Sequence, residues 1–250
     1  PSGSWLCHLS QQFLPARSAV FSRRCSRTRS AAAVPPEQAA YPGVAGDGRR
    51  RAGAMRRDLT FMSSIEYRRA NPEDYPAILH LQSANFIANL GEQERRQGFL
   101  SAQFTLEQTG QIAEDLGTMV ATIDNSVVGF LCAFRKEFET GSPVIAKMLE
   151  SYGRLSFQGK PLSSLSSYIY GPVCIGREFR GRGLLRGLYE AQKKDLAGQF
   201  DIGVAFVSRD NPHSLSAHIH GLGMAEAGDF KVKGNIYATL AFSLPPRRNP

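Results

Sequence analysis

Gly171-Pro172-Val173-Cys174-Ile175-Gly176-Arg177-Glu178-Phe179-Arg180-Gly181-Arg182-Gly183-Leu184-Leu185 runs from an apolar strand through an arginine- and glycine-rich turn into a helix. The strand begins near Ser167 and ends at Ile175. The helix leaves Gly183 and carries Leu185, Leu188, Tyr189, Gln192 and Leu196 at helical spacing as far as Gly198. Glycines at a helix start leave its first N–H groups bare, and the helix dipole adds partial positive charge there. A pyrophosphate on that end gains charge-assisted hydrogen bonds worth about 1.5–3 kcal/mol each. Gly187, inside the helix, costs about 1 kcal/mol relative to alanine, which close packing against the sheet would explain.

Two familiar phosphate loops fail on spacing. A dinucleotide fingerprint needs G-x-G-x-x-G, but Arg186 follows at the required place and Gly187 comes one residue late. A Walker loop needs Lys-Ser or Lys-Thr after its glycines, and neither is present. The bland alternative is a solvated Arg/Gly turn that merely links strand to helix.

Outward from this segment, strands and helices alternate. Ile65 to Arg69 reads as a half-buried strand. Asn71-Pro72-Glu73-Asp74 opens a helix with Tyr75, Ile78, Leu79, Gln82 and Phe86 on one face, ended by Gly91. A second helix spans 105–116. Strands at 118–123 and 127–134 are joined by a hairpin at Asp124-Asn125-Ser126. Residues 137–167 are irregular and rich in Gly, Pro and Ser, the character of a binding loop or lid in which Tyr152, Phe157 and the serine run shape a pocket. Downstream lie a strand at 202–207, a short helix at 215–220, and a final stretch at 232–244 with a hairpin near Lys233-Gly234-Asn235.

Composition narrows the function. At 42% hydrophobic and 21% charged residues, the chain can build a core, and it has no apolar run long enough for a spanning helix. The net charge of +8 divides unevenly. Residues 1–61 hold ten basic and three acidic residues, a net of +7, whereas 62–250 hold twenty and nineteen, a net of +1. A nucleic-acid-binding domain carries its positive field on the folded surface, so neither nucleic acid nor membrane is an expected partner. Residues 1–61 read as a disordered basic leader. A transit peptide and a basic RNA- or membrane-binding arm compete with the favoured reading, upstream sequence that is not native coding sequence, with Met62 as the start and Met55 second. Residues 62–250 then form one domain. Cys7, Cys25, Cys132 and Cys174 make no CxxC pair, which suits a reducing, cytoplasmic setting. His213, His218 and His220 have no zinc spacing, so no metal is expected.

The segment Arg180-Gly181-Arg182-Gly183-Leu184-Leu185 resembles the pyrophosphate loop [QR]-x-x-G-x-[GA] of the GNAT superfamily of N-acetyltransferases, with Leu185 in place of the small last residue. Asn211-Pro212-His213-Ser214 and Gly221-Leu222-Gly223-Met224 resemble the segments after that family's fifth strand, and the element order agrees from Ile65 to Leu244. The resemblance implies a mixed α/β fold: a largely antiparallel central sheet, flanked by helices, whose fourth and fifth strands splay apart.

It further implies acetyl-CoA as cosubstrate. Its pantetheine would pair with the backbone of Val173, Cys174 and Ile175, its pyrophosphate would rest on the N–H groups of Arg180, Gly181, Arg182, Gly183, Leu184 and Leu185, and Asn211 would touch the pantetheine arm. The acceptor would be a small-molecule or peptide amine. Deprotonating a lysine-like amine at pH 7 costs about 4.6 kcal/mol, so a base helps, and a backbone N–H near Cys174 or Ile175 would serve the oxyanion. The family's usual thiolate-protonating Tyr is replaced by His218, with Ser214 one helical turn earlier as the alternative donor. Tyr168 and Tyr170 are candidates to line the amine site or to hold a water acting as base. Cys174 reads as a buried strand cysteine rather than a nucleophile. The expected activity is direct acetyl transfer in a ternary complex; a non-catalytic acyl-CoA-binding or sensing domain is the alternative, and a nucleic-acid-binding protein led by the basic arm is a third. Amine identity and oligomeric state stay open, a homodimer included.

Overall fold

The computed structural model describes residues 64–246; the leader at 1–61, Met55, Met62, Cys7 and Cys25 lie outside the described residues. Seven strands form the main sheet: β1 (Glu66–Arg69), β2 (Thr118–Ile123), β3 (Ser126–Arg135), β4 (Ser167–Ile175), β5 (Ile202–Ser208), β6 (Ala225–Val232) and β7 (Asn235–Ser243). Their order across the sheet is β1-β2-β3-β4-β5-β7-β6, and among the described pairs only β4 and β5 run parallel. The helices are α1 (Tyr75–Asn85), α2 (Glu92–Arg95), α3 (Leu106–Asp115), α4 (Pro143–Glu150), α5 (Leu184–Asp195) and α6 (Pro212–Ser216). This is the mixed, largely antiparallel architecture expected.

Strand alternation sorts the core into two layers. Phe130, Cys132 and Phe134 of β3 join Ile78, Ile112 and Met148 from α1, α3 and α4 on one face. Leu131 and Ala133, one residue out of phase, join Leu184, Leu188 and Tyr189 of α5 on the other. Both tight hairpins of the main sheet use two residues with positive φ, Asp124 (49°) with Asn125 (62°) and Lys233 (47°) with Gly234 (87°), the turn chemistry that matches strand twist.

The feature that positions the site is a parting of strands. β4 pairs with β5 only over Ser167–Ile169 against Ile202–Val204. Beyond that point the β3–β4 register slips between Leu131 and Ala133, so that Gly171 and Pro172 bulge against a single residue of β3. Gly171 takes φ +107°, open to glycine but not to a side-chain-bearing residue, and Pro172 has no N–H to offer a neighbouring strand. A bulge bends its strand, and β4 turns away from β5.

Gly203 sits at the base of the parting. A Cβ there would lie 2.3 Å from the ring of Phe242, which is itself wedged edge-on against Tyr168, Tyr170 and Tyr189. Gly203→Ala is therefore expected to destabilise the fold by about 1–3 kcal/mol, the usual range for overpacking; an unchanged urea midpoint would contradict this packing.

Several local expectations are corrected. The first helix stops at Asn85 rather than Gly91, because Phe86 turns extended (ψ 133°) and Phe86 bridges Leu100. Residues 137–167 are not an irregular lid: α4 buries Ile145 and Met148, and Ser156–Phe157 pairs with Lys160–Pro161. Tyr152 and Phe157 belong to the core under that region. The short helix begins at Pro212, capped by Asn211, and runs on through a π-helical turn, Ala217–Gly221. The last sheet segment is two long strands, β6 starting at Ala225 rather than Val232.

Candidate active site

Two adjoining cavities occupy the parting. The larger, about 370 Å³, runs from β4 to the start of α5 and is lined by Val173, Cys174, Ile175, Arg180, Gly181, Gly183, Leu184 and Leu185. The smaller, about 120 Å³, lies between β4 and β5 and is lined by Tyr170 and Asn211 among others. Val173, Ser214 and His218 line both, so the two adjoin at these residues. Of the residues singled out in the sequence, Tyr152, Phe157, Tyr168 and Arg182 line neither; Arg182 is exposed, its guanidinium 5.6 Å from the Phe179 ring centroid.

The turn at the head of α5 is open. Gly181 (φ +75°) and Gly183 (φ +82°) adopt left-handed backbone, and Gly183 caps the helix. The first bond into the helix is from the Gly187 N–H to the Gly183 carbonyl at 3.1 Å. Among the described residues, no protein acceptor takes the N–H of Gly181, Arg182, Gly183, Leu184, Leu185 or Arg186. Six N–H groups without a protein acceptor and a helix dipole are gathered beside the larger cavity, an arrangement suited to a phosphate. Gly187 is tightly placed, since a Cβ there would fall 2.0 Å from the Tyr67 ring.

Arg180 does different work from a free guanidinium. Nε donates to the Ile175 carbonyl (3.2 Å), one terminal nitrogen to the Gln97 carbonyl (2.8 Å) and the other to Asn85 Oδ1 (2.8 Å). It ties the loop to the end of β4, to α1 and to the segment at 96–100. Asn211 likewise caps α6 through Oδ1 (Ser214 N–H, 3.2 Å) and donates from Nδ2 to the Phe99 carbonyl (3.1 Å). Phe99 and Leu100 thus form a strap over both cavities, pinned at each end.

β4 supplies a free edge. The Gly176 N–H donates to the Val128 carbonyl (2.8 Å). Alternation along the strand then turns the amides of Val173 and Ile175 away from β3 and towards the cleft. Cys174 is buried, its thiol donating to the Leu81 carbonyl (3.6 Å), and burial pushes its pKa up to about 12. It is a neutral packing group.

At the junction of the cavities, His218 is buried and its Nδ1 lies 2.7 Å from the Ser214 carbonyl. A carbonyl only accepts, so Nδ1 carries the proton and Nε2 keeps a lone pair. Burial lowers the His218 pKa below the ordinary 6.5, partly offset by the Ser214 bond, so the ring is neutral at pH 7. Ser214 Oγ is 3.4 Å from the same Nδ1. The Tyr170 ring meets His218 edge-on at 5.7 Å, and the Tyr170 hydroxyl is buried without a partner. Burial raises its pKa strongly, so it keeps its proton. Tyr168 faces elsewhere, donating to Gln192 (3.0 Å) in the core.

The depressed His218 pKa has a measurable consequence. Between that pKa and 6.5 the unfolded chain binds more protons than the folded one, so stability rises with pH there and falls as acid is added. Urea midpoints are expected to drop from pH 7 to pH 5.5, and His218→Gln is expected to flatten that slope; a wild-type slope retained in the variant would assign it elsewhere.

Asn85, the strap at 97–100 and Arg186 line the cleft, yet the sequence singled none of them out. Only Arg186 had a signal available, its place in the first turn of α5. Among the described residues no group of three or more His, Cys, Asp or Glu could hold a metal, and no helix is long and apolar enough to cross a membrane.

No family model and no curated protein matches the sequence. Solved structures do. An acetyltransferase of the GNAT family from Streptococcus agalactiae aligns over 73% of this chain and 96% of its own, at 14% identity and a TM-score of 0.52. An N-acetyltransferase from Staphylococcus aureus aligns over 73% and 99%, at 17% identity and a TM-score of 0.49. With its seven-stranded sheet, parted fourth and fifth strands and open glycine turn, this chain has the fold of the GNAT N-acetyltransferases.

Proposed function

We propose that the protein is an N-acetyltransferase that transfers the acetyl group of acetyl-CoA directly to a primary amine. One observation carries this reading. The free edge of β4 and the open N–H groups heading α5 border a cleft that ends at a neutral imidazole, with the Tyr170 ring, its hydroxyl buried and unpartnered, packed edge-on against it. The residues fit the coenzyme in chemistry as well as shape: the N–H groups of Gly181–Arg186 would hold its pyrophosphate, with Arg186 beside them, and the Val173 and Ile175 amides would pair with its pantetheine.

Bound acetyl-CoA supplies an activated acyl group as its thioester. The chain supplies proton handling and exclusion of water. His218, with Nδ1 fixed on the Ser214 carbonyl, presents Nε2 as the base for the attacking amine. The Tyr170 hydroxyl, held protonated by burial, is the donor. At rest His218 is neutral and can accept a proton while Tyr170 is neutral and can donate one, so the two are assigned as base and acid, the reverse of the order that the sequence resemblance implies. Arg180 and Asn211 act as positioning residues, fastening the strap that roofs the cleft. A binding-only domain would have no use for this pair at the inner end, so the sensing alternative is not favoured. The free thiols of Cys132 and Cys174 suit a reducing, cytoplasmic setting.

The test is a thiol-release assay of the full chain with acetyl-CoA and pooled primary amines, beside a calorimetric titration with CoA. Saturable CoA binding with amine-dependent thiol release is expected; absence of both would overturn the reading.

A further inference from the structure

The smaller cavity has a chemical character that narrows the acceptor. Among the described residues lining it there is no Asp, Glu, Lys or Arg. Its walls are aromatic and aliphatic: Phe99, Phe104, Phe134 and Phe206, with Ile145 and Ile169. Phe104 and Phe134 meet edge-on at 6.0 Å, leaving ring faces and edges towards the space.

Its polar groups are largely committed to the protein. Ser142 accepts from the Ile145 N–H at 3.5 Å, and Ser208 accepts from the Asp210 N–H at 3.2 Å. Both ends of the Asn211 amide are engaged, and Ser214 Oγ lies beside His218. Ser101 is exposed. Of the remaining side-chain polar groups, the Tyr170 hydroxyl is buried without a partner, and His218 Nε2 and the Ser214 hydroxyl are uncommitted, all of them uncharged. They suffice for one amine and the carbonyl it attacks. A second ammonium, or a carboxylate, would be buried there without a charged partner, which is unfavourable. In size, about 120 Å³ compares with the apolar cavity of about 150 Å³ that takes up benzene.

Resting on the acetyltransferase reading, we propose that the acceptor is a compact primary amine whose carbon body is uncharged, apolar and about one ring in size. Benzylamine and isobutylamine represent the class; polyamines, aminoglycosides and free amino acids fall outside it. The amine nitrogen forms the C–N bond as the C–S bond breaks. Its proton passes to His218 Nε2, the departing thiolate takes one from the Tyr170 hydroxyl and leaves as CoA thiol, the proton on His218 returns to the tyrosinate through solvent, and the product is a neutral amide. An uncharged wall also favours the unprotonated amine that must attack.

The full chain with acetyl-CoA is assayed for thiol release with benzylamine, isobutylamine, spermidine, kanamycin and alanine in parallel. The expected result is kcat/KM for the apolar amines at least about tenfold above the other three. Ser142→Asp tests the cause, because aspartate replaces serine as a helix cap without loss yet brings a carboxylate to the wall. It is expected to lower kcat/KM for benzylamine about tenfold and to raise it for 1,4-diaminobutane. CoA binding with fastest release on spermidine, kanamycin or alanine would overturn the substrate class while leaving acetyl transfer intact. So would preference for a longer acyl-CoA with benzylamine inert, which would give the cavity to the acyl chain. Loss of CoA binding and of all thiol release would take down the acetyltransferase reading and this one together.

Discussion

His218→Ala is expected to lower kcat by about 10²–10⁴, the usual contribution of a positioned proton acceptor, while the Kd for CoA changes little. The division follows from position. The imidazole stands where the two cavities meet, whereas the coenzyme's charged groups would be held on the open turn heading α5, built of different residues. A fall in kcat below about tenfold would remove His218 from the chemistry. The pH profile gives an independent readout. With a pKa held below 6.5 by burial, the wild-type rate should stay high to below that pH and fall as the ring protonates, and the variant should lose this acidic limb. Tyr170→Phe keeps the ring contacts to His218, Tyr189 and Phe242 and removes only the hydroxyl. It should therefore lower kcat without moving the acidic limb.

Gly183→Val is expected to raise the Kd for CoA by about 10–100-fold, equivalent to losing one or two charge-assisted hydrogen bonds. At φ +82° a β-branched side chain is sterically disfavoured, although the space around Gly183 is open. The cost therefore falls on backbone geometry. The cap residue must rotate out of the left-handed region, and the N–H groups of Leu184, Leu185 and Arg186 then no longer converge. Thermal stability should fall as well, by about 1–2 kcal/mol. Arg182→Ala is the comparison: its exposed side chain lies on Phe179, so its effect on Kd should be several-fold smaller. Equal losses in the two variants would mean that charge, rather than the open helix end, holds the ligand.

What could be read from residues in order was what neighbours in order decide. Apolar alternation marks β1, apolar runs mark β2 and β3, helical spacing marks α5, and the glycines at 181 and 183 mark a turn only they can make without strain. Each depends on contacts within a few residues, so the strand-turn-helix and its open N-terminus were legible at once. The bulge at Gly171-Pro172 is not legible there: 167–175 reads as one unbroken strand, and the register slip against β3 shows the interruption.

Tertiary structure decided which groups meet. Tyr170 and His218 come from different elements and face each other only because β4 bends away from β5 while α6 is anchored by Asn211. Arg180 reads in sequence as a phosphate ligand, but the nearby Ile175 carbonyl and two acceptors distant in the chain take its donors. The strap at 97–100 has no periodicity to announce it; it is held by Arg180, Asn211 and the main chain of α1. Likewise, the uncharged wall of the smaller cavity is contributed by residues from many elements, none unusual alone. Local sterics are encoded residue by residue, whereas a cavity's chemistry is a property of surfaces that touch only after the chain has folded.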